Sequence, residues 1–104
     1  MITSFKPNDR MRLTCEIRIR KIGDDIFLIP ITNTVVSGRG FYKLNKCGEL
    51  IVKRIELDGV IGISFENLLD YLFDIFRDKK RDTVSEDVVS FLILIQEYGL
   101  LEVI

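Results

Sequence analysis

Between residues 12 and 20 polar and apolar side chains alternate without interruption. Leu13, Cys15, Ile17 and Ile19 fall on one side, and Arg12, Thr14, Glu16, Arg18 and Arg20 on the other. A period of two is that of a half-buried strand. Gly23, Asp24 and Asp25 follow as a turn, and residues 26–31 are apolar on both faces, as in a strand covered on both sides, so the two segments read as a hairpin. Residues 33–40 are rich in Gly, Ser, Thr and Asn and read as a loop. Phe41, Tyr42, Lys43 and Leu44 then give a short aromatic third strand. Residues 1–11, with Pro7, Asn8 and Asp9, read as a flexible leading segment, which leaves 12–104 as the folded domain.

The period then changes to that of helices. Asn45 is a good N-cap, and Cys47, Leu50, Ile51 and Ile55 follow at helical spacing until Asp58 and Gly59. Ser64 caps a second helix. Its apolar stripe of Phe65, Leu68, Leu69, Leu72, Phe73, Ile75 and Phe76 lies opposite Glu66, Asn67, Asp70, Asp74 and Arg77. A third helix is apolar from Val84 to Ile95 and stops at Gly99, a natural residue just past a helix end, while its start falls between Lys80 and Ser85. None of these elements can bury its apolar face alone. The pattern predicts an α+β fold, a three-stranded antiparallel sheet packed on three helices in the manner of a winged helix-turn-helix. One edge of such a sheet stays unpaired, and the shortest and most aromatic candidate is the strand at residues 41–44.

Composition narrows the chemistry. At 104 residues, 47% apolar and 30% charged with a net charge of -1, the chain is one globular domain without a global attraction to nucleic acid or anionic lipid. No apolar run approaches the ~20 residues that span a bilayer. Residues 1–10 lack a signal-peptide pattern, so a cytoplasmic protein is expected. There is no histidine, and Cys15 and Cys47 form no CxxC pair. The commonest general base and the commonest metal ligand are therefore missing, and no catalytic machinery, metal or cofactor is expected. Glu66, Asp70 and Asp74 recur every four residues and read as one solvated helix face.

Three stretches, LNKCGELIVKRI from Leu44, SFENLLDYLFDIF from Ser64 and EDVVSFLILIQEYGLLEV from Glu86, carry a resemblance over about residues 17–103. In order and spacing they resemble the PqqD-like family of peptide chaperones, also called RiPP recognition elements. Leu44, Asn45 and Gly48 at the opening of the first helix and Asp87, Val88, Phe91, Leu92, Gly99 and Leu100 around the third are its most specific parts. The resemblance implies a domain that binds the leader of a ribosomally made precursor peptide and presents it to a modifying enzyme, such as a radical SAM protein or a cyclase. It also implies that the leader adds as a strand beside the third strand, with side chains settling against the third helix. The chain departs from the family pattern at Val52, where a large aromatic is usual, and at Arg54, where an apolar residue is. It departs again at the basic run Lys79, Lys80 and Arg81. The subfamily and the partner enzyme stay open.

The candidate peptide-binding residues are thus Phe41, Tyr42, Lys43 and Leu44 on the strand and Asp87, Phe91 and Leu94 on the helix. An open edge binds by completing its backbone hydrogen bonds with an incoming strand. Leu94 and Tyr98 lie on one flank of the third helix, and Val89 and Ile93 on the other. The latter pair reads equally as a homodimer seam or as cover for the leading segment. A nucleic-acid reader is the rival from another class, but its recognition helix needs Arg, Lys, Asn or Gln, and residues 84–95 carry only acids, serines and apolar groups. No nucleic-acid or membrane partner is expected.

Overall fold

The computed structural model describes residues 5–31 and 42–104. The chain runs β1 (Arg10–Leu13), β2 (Glu16–Ile22), β3 (Asp25–Ile31), β4 (Tyr42–Leu44), α1 (Lys46–Asp58), a 3-10 turn (Gly59–Ile61), β5 (Ile63–Ser64), α2 (Phe65–Ile75), α3 (Arg81–Glu97) and β6 (Leu101–Val103). The fold is α+β, with three helices as the periodicity predicts. Its strands, however, form two antiparallel sheets of three among the described residues, ordered β5-β1-β6 and β2-β3-β4.

The second sheet arises where the sequence shows one unbroken strand. Chain pairing breaks at Thr14 and Cys15. Thr14 turns its N–H to the Leu100 carbonyl (2.9 Å) and its hydroxyl to the Gly99 carbonyl (2.6 Å), which anchors the start of the corner to the far end of the chain. Before the corner, β1 pairs with β6 in the register Met11↔Val103, Arg12↔Glu102 and Leu13↔Leu101. After it, β2 pairs with β3 in a hairpin closed by Gly23 and Asp24, with Gly23 at φ 62°. A residue without a Cβ takes that left-handed conformation at no steric cost. Side-chain alternation runs through the corner with one parity, so periodicity alone could not reveal the change of sheet.

The leading segment is not loose from Phe5 onward, which corrects the expectation for residues 5–11. Phe5 is buried and stacks on Phe65 with ring centroids 5.5 Å apart, and Met11 is wholly inside the core. The physical reason lies at the start of α2. There the N–H groups of Phe65 and Glu66 donate to the carbonyls of Asp9 (2.8 Å) and Pro7 (3.0 Å), satisfying donors that a helix cannot satisfy itself. Residues 1–4 lie outside the described residues, as does the loop expected at 33–40.

The helix ends follow their caps. The Asn45 side chain accepts from the Gly48 N–H (2.7 Å), and the Ser64 hydroxyl from the Asn67 N–H (3.1 Å). At the end of α3 the Gly99 N–H donates to the Gln96 carbonyl and the Leu100 N–H to that of Ile95, the paired bonds of a Schellman motif. Gly99 sits at φ 76°. Helix α1 lies between the sheets, touching β1 of one and β4 of the other as well as both remaining helices. Its Ile51, Val52 and Ile55 meet Leu28, Leu44, Leu68, Leu72, Val88, Leu92 and Ile95 in one core. Full burial of each large aliphatic side chain is worth ~1.5–3 kcal/mol.

Val52 and Arg54 of α1 have different surroundings. Val52 is buried. Arg54 has its guanidinium 5.2 Å from the centroid of the Tyr71 ring on α2 and 3.3 Å from Asp58 one turn on. Its charge thus has an aromatic face and a carboxylate for company.

Candidate functional site

The third strand of the sequence reading is β4, and among the described residues it stands at an edge of the second sheet, with β3 as its sheet neighbour. The register is Ile26↔Leu44, Phe27↔Lys43 and Leu28↔Tyr42. Which backbone groups look outward follows from the hairpin next door. A two-residue turn requires its flanking pair, here Ile22↔Asp25, to be the hydrogen-bonded kind. Alternation along β3 then turns Ile26 and Leu28 toward β4. Tyr42 and Leu44 therefore spend their N–H and C=O on β3, and Lys43 presents both of its own to the open side.

Side chains alternate as well. Leu44 is buried in the core at 5% exposure, and Tyr42 is half-buried on the same face. Lys43 points to the opposite face, where its ammonium lies 3.0 Å from Asp25. Leu44 is thus a core residue, and its part in any site is confined to its backbone. Phe41 lies outside the described residues.

Helix α3 forms the wall beside this edge. The Tyr42 and Tyr98 rings meet edge to face, with centroids 4.9 Å apart. Further along, the Phe91 ring leans on Gly48, so close that a Cβ there would come within 2.9 Å of it. Further still, Cys47 lies near enough to Asp87 for the carboxylate to push its pKa up. Going from Tyr42 toward Cys47 and Gly48, the chain passes α3 in reverse order, from Tyr98 toward Asp87. Asp87, Phe91, Leu94 and Tyr98 follow one another at spacings of four, three and four, so they share one stripe of the helix. The structure brings the candidates Asp87, Phe91 and Leu94 onto this stripe, with Leu94 39% exposed and Phe91 half-buried. Tyr98, Gly48 and Cys47 belong with them. Tyr98 had a legible signal, its place one heptad after Phe91, whereas the glycine contact had none short of the packing itself.

The Cys47 thiol is held above its ordinary pKa first by burial and then by Asp87, against a smaller opposing effect of Lys79. It is therefore protonated at neutral pH and a poor nucleophile. Cys15 and Cys47 are both unpaired and half-buried. Among the described residues no three His, Cys, Asp or Glu side chains converge as metal ligands, and no helix is long and apolar enough to cross a membrane.

The other sequence candidates fall away from this edge. Glu66, Asp70 and Asp74 are exposed along α2. Of the basic run, Lys79 sits over the Phe76 ring at 4.9 Å and Arg81 over the Phe73 ring at 4.7 Å, so part of it is spent on the aromatic face of α2. Val89 and Ile93 are half-buried and packed against the core, which leaves limited surface for a dimer seam. Among the described residues the most exposed large apolar ones are Leu57, Val60 and Ile61, all above 70% and all around the 3-10 turn. The carbonyls of Val60 and Gly62 there accept from Arg12 (3.2 Å) and Arg10 (3.1 Å). The chain matches no family model, no curated protein and no solved structure.

Proposed function

We propose that the protein is a non-catalytic peptide-binding module. It takes up an extended segment of a ribosomally made precursor beside β4 and presents it to a modifying enzyme, such as a radical SAM protein or a cyclase. The observation that carries this reading is the pairing of an open backbone edge at Lys43 with an adjoining half-apolar helix stripe. Backbone bonds supply affinity without regard to sequence, and the stripe of Phe91, Leu94 and Tyr98 supplies selectivity. The resemblance of the helices to the PqqD-like family supports the same reading and supplies the leader peptide as the natural ligand.

The test uses twelve-residue peptides selected from a displayed random library on the purified protein. Bound by a few main-chain bonds and one or two apolar anchors, a selected peptide is expected at a dissociation constant on the order of micromolar. Phe91→Ala removes a half-buried ring and is expected to lower both stability, by about 2 kcal/mol, and affinity. Selected peptides that bind equally well after Lys43→Pro, with the variant folded by circular dichroism, would place the ligand elsewhere and defeat strand addition.

A further inference from the structure

We propose that the strand bound beside β4 carries a carboxylate side chain level with Lys43, flanked on each side by an apolar residue. This rests on the strand-addition reading and names the chemistry of the ligand that edge selects.

The argument starts from the rows of side chains that run across the sheet. Residues opposite one another in adjacent strands share a face, and the register places Arg20, Phe27 and Lys43 in one row. This face lies away from the core, since Ile17, Leu28 and Leu44 on the other face are buried. An added strand extends the row by one position, about 4.8 Å beyond Lys43, whether it runs parallel or antiparallel. The side chain at that position must stand on the outer face beside the ammonium.

The charge on this face decides its sign. Arg18 and Arg20 stand exposed on β2 with no ion pair among the described residues, and Lys43 is added on β4. Against these three cations the same face carries Asp25, which pairs with Lys43 through two well-exposed side chains, and Glu16 at the far end of β2. An incoming carboxylate meets a cationic neighbour that Asp25 only partly satisfies. An incoming Lys or Arg meets a like charge directly opposite, which destabilises a strand pair.

The residues before and after this position turn to the other face. There they come beside Tyr42 and Leu44, under the α3 stripe where Tyr98 touches Tyr42 and Leu94 is exposed. A charged side chain would be desolvated on that side without a partner, whereas an apolar one covers Leu94 and the tyrosine rings. The recognised unit is therefore an apolar, acidic, apolar triplet.

The experiment selects the same random twelve-residue library on the parent protein and on Lys43→Glu, each checked by circular dichroism. On the parent, Asp and Glu are expected to outnumber Lys and Arg at the centre of the enriched triplet by roughly two- to fivefold, the size of a cross-strand charge pair. On Lys43→Glu the preference is expected to invert to Lys and Arg. Enriched peptides without a charge preference at that position, or with one that Lys43→Glu leaves unchanged, overturn this inference while strand addition stands, provided Lys43→Pro abolishes their binding. No enrichment, or enriched peptides indifferent to Lys43→Pro, removes strand addition and this inference with it.

Discussion

The second sheet has two edges among the described residues, and on the proposed strand-addition reading the longer one is the less receptive. Strand β2 is seven residues long, and the same alternation that exposes Lys43 turns the N–H and C=O of Ile17, Ile19 and Lys21 outward. Strand β4 has three residues and, among them, one outward-facing backbone unit. Counting open hydrogen bonds alone, a peptide would choose β2. That edge, however, is crowded with charge, for Glu16, Arg18, Arg20 and Lys21 are all exposed along it, a common way for proteins to keep edges from pairing. The β4 edge instead has the α3 stripe beside it. An edge becomes a binding site through what stands next to it, since backbone bonds are worth only ~1 kcal/mol each and cannot by themselves hold a disordered peptide.

Proline substitutions separate the two edges and the two sides of β4. The largest effect is expected from Tyr42→Pro. Its N–H faces β3, so proline there removes a ladder bond and clashes with its neighbour, and the loss of stability should be about 3 kcal/mol by urea denaturation. A stability equal to that of the parent would mean that the outward assignment of Lys43 is inverted. Next comes the matched pair Lys43→Pro and Lys21→Pro, the same exchange at outward positions on opposite edges. Both variants should stay folded. Fluorescence anisotropy with a selected peptide should show a loss of about tenfold or more for the first and none for the second. Equal losses would mean that the edges are equivalent.

A smaller effect is expected at Gly48. Alanine improves the helix by about 1 kcal/mol but brings its Cβ to 2.9 Å from the half-buried Phe91 ring and 3.2 Å from the Asn45 Oδ1, so the ring must shift along the stripe. Gly48→Ala should therefore melt close to the parent while binding peptide several-fold more weakly. Unchanged affinity would remove Phe91 from the site. The smallest effect concerns pH and Glu49 in the first turn of α1. A hydrogen bond from Lys53 holds the Glu49 carboxyl below its ordinary range, with Lys46 assisting and burial opposing. The carboxylate therefore stabilises the fold above the unfolded value of about 4.3, and that contribution disappears as pH falls through the lower folded value. Glu49→Gln should flatten the fall in urea midpoint below about pH 4, with binding at neutral pH unchanged; a fall as steep as the parent's would show that other carboxylates govern it.

Much of this was legible in the sequence, and what was not has a common cause. The helices declared themselves because their caps and periods are local. Asn45, Ser64 and Gly99 mark boundaries the structure reproduces, and the apolar stripe of Val84, Val88, Leu92 and Ile95 is the buried face of α3. The hairpin and the edge position of β4 were legible for the same reason. The corner at Thr14 and Cys15 was not, since the bonds that anchor it come from Gly99 and Leu100. Strands β5 and β6, of two and three residues, exist because β1 lies between them. Phe5 looked like part of a tail because its partner, Phe65, is sixty positions away. At the site, the residue types on β4 and α3 were readable, whereas the face each one shows required the register.

The two sheets also differ in when they can form. The β2–β3 hairpin joins neighbours in sequence and can close within microseconds of collapse. The β1–β6 ladder joins residues about ninety positions apart, with Arg12 and Glu102 paired across it. Contacts of such separation carry the largest loop-closure entropy and tend to arrive last. During refolding the β2-β3-β4 sheet should thus gain amide protection in pulsed hydrogen exchange before the β5-β1-β6 sheet. A chain caught between those two moments would already present the β4 edge on which the proposed function depends while β1 and β6 were still apart.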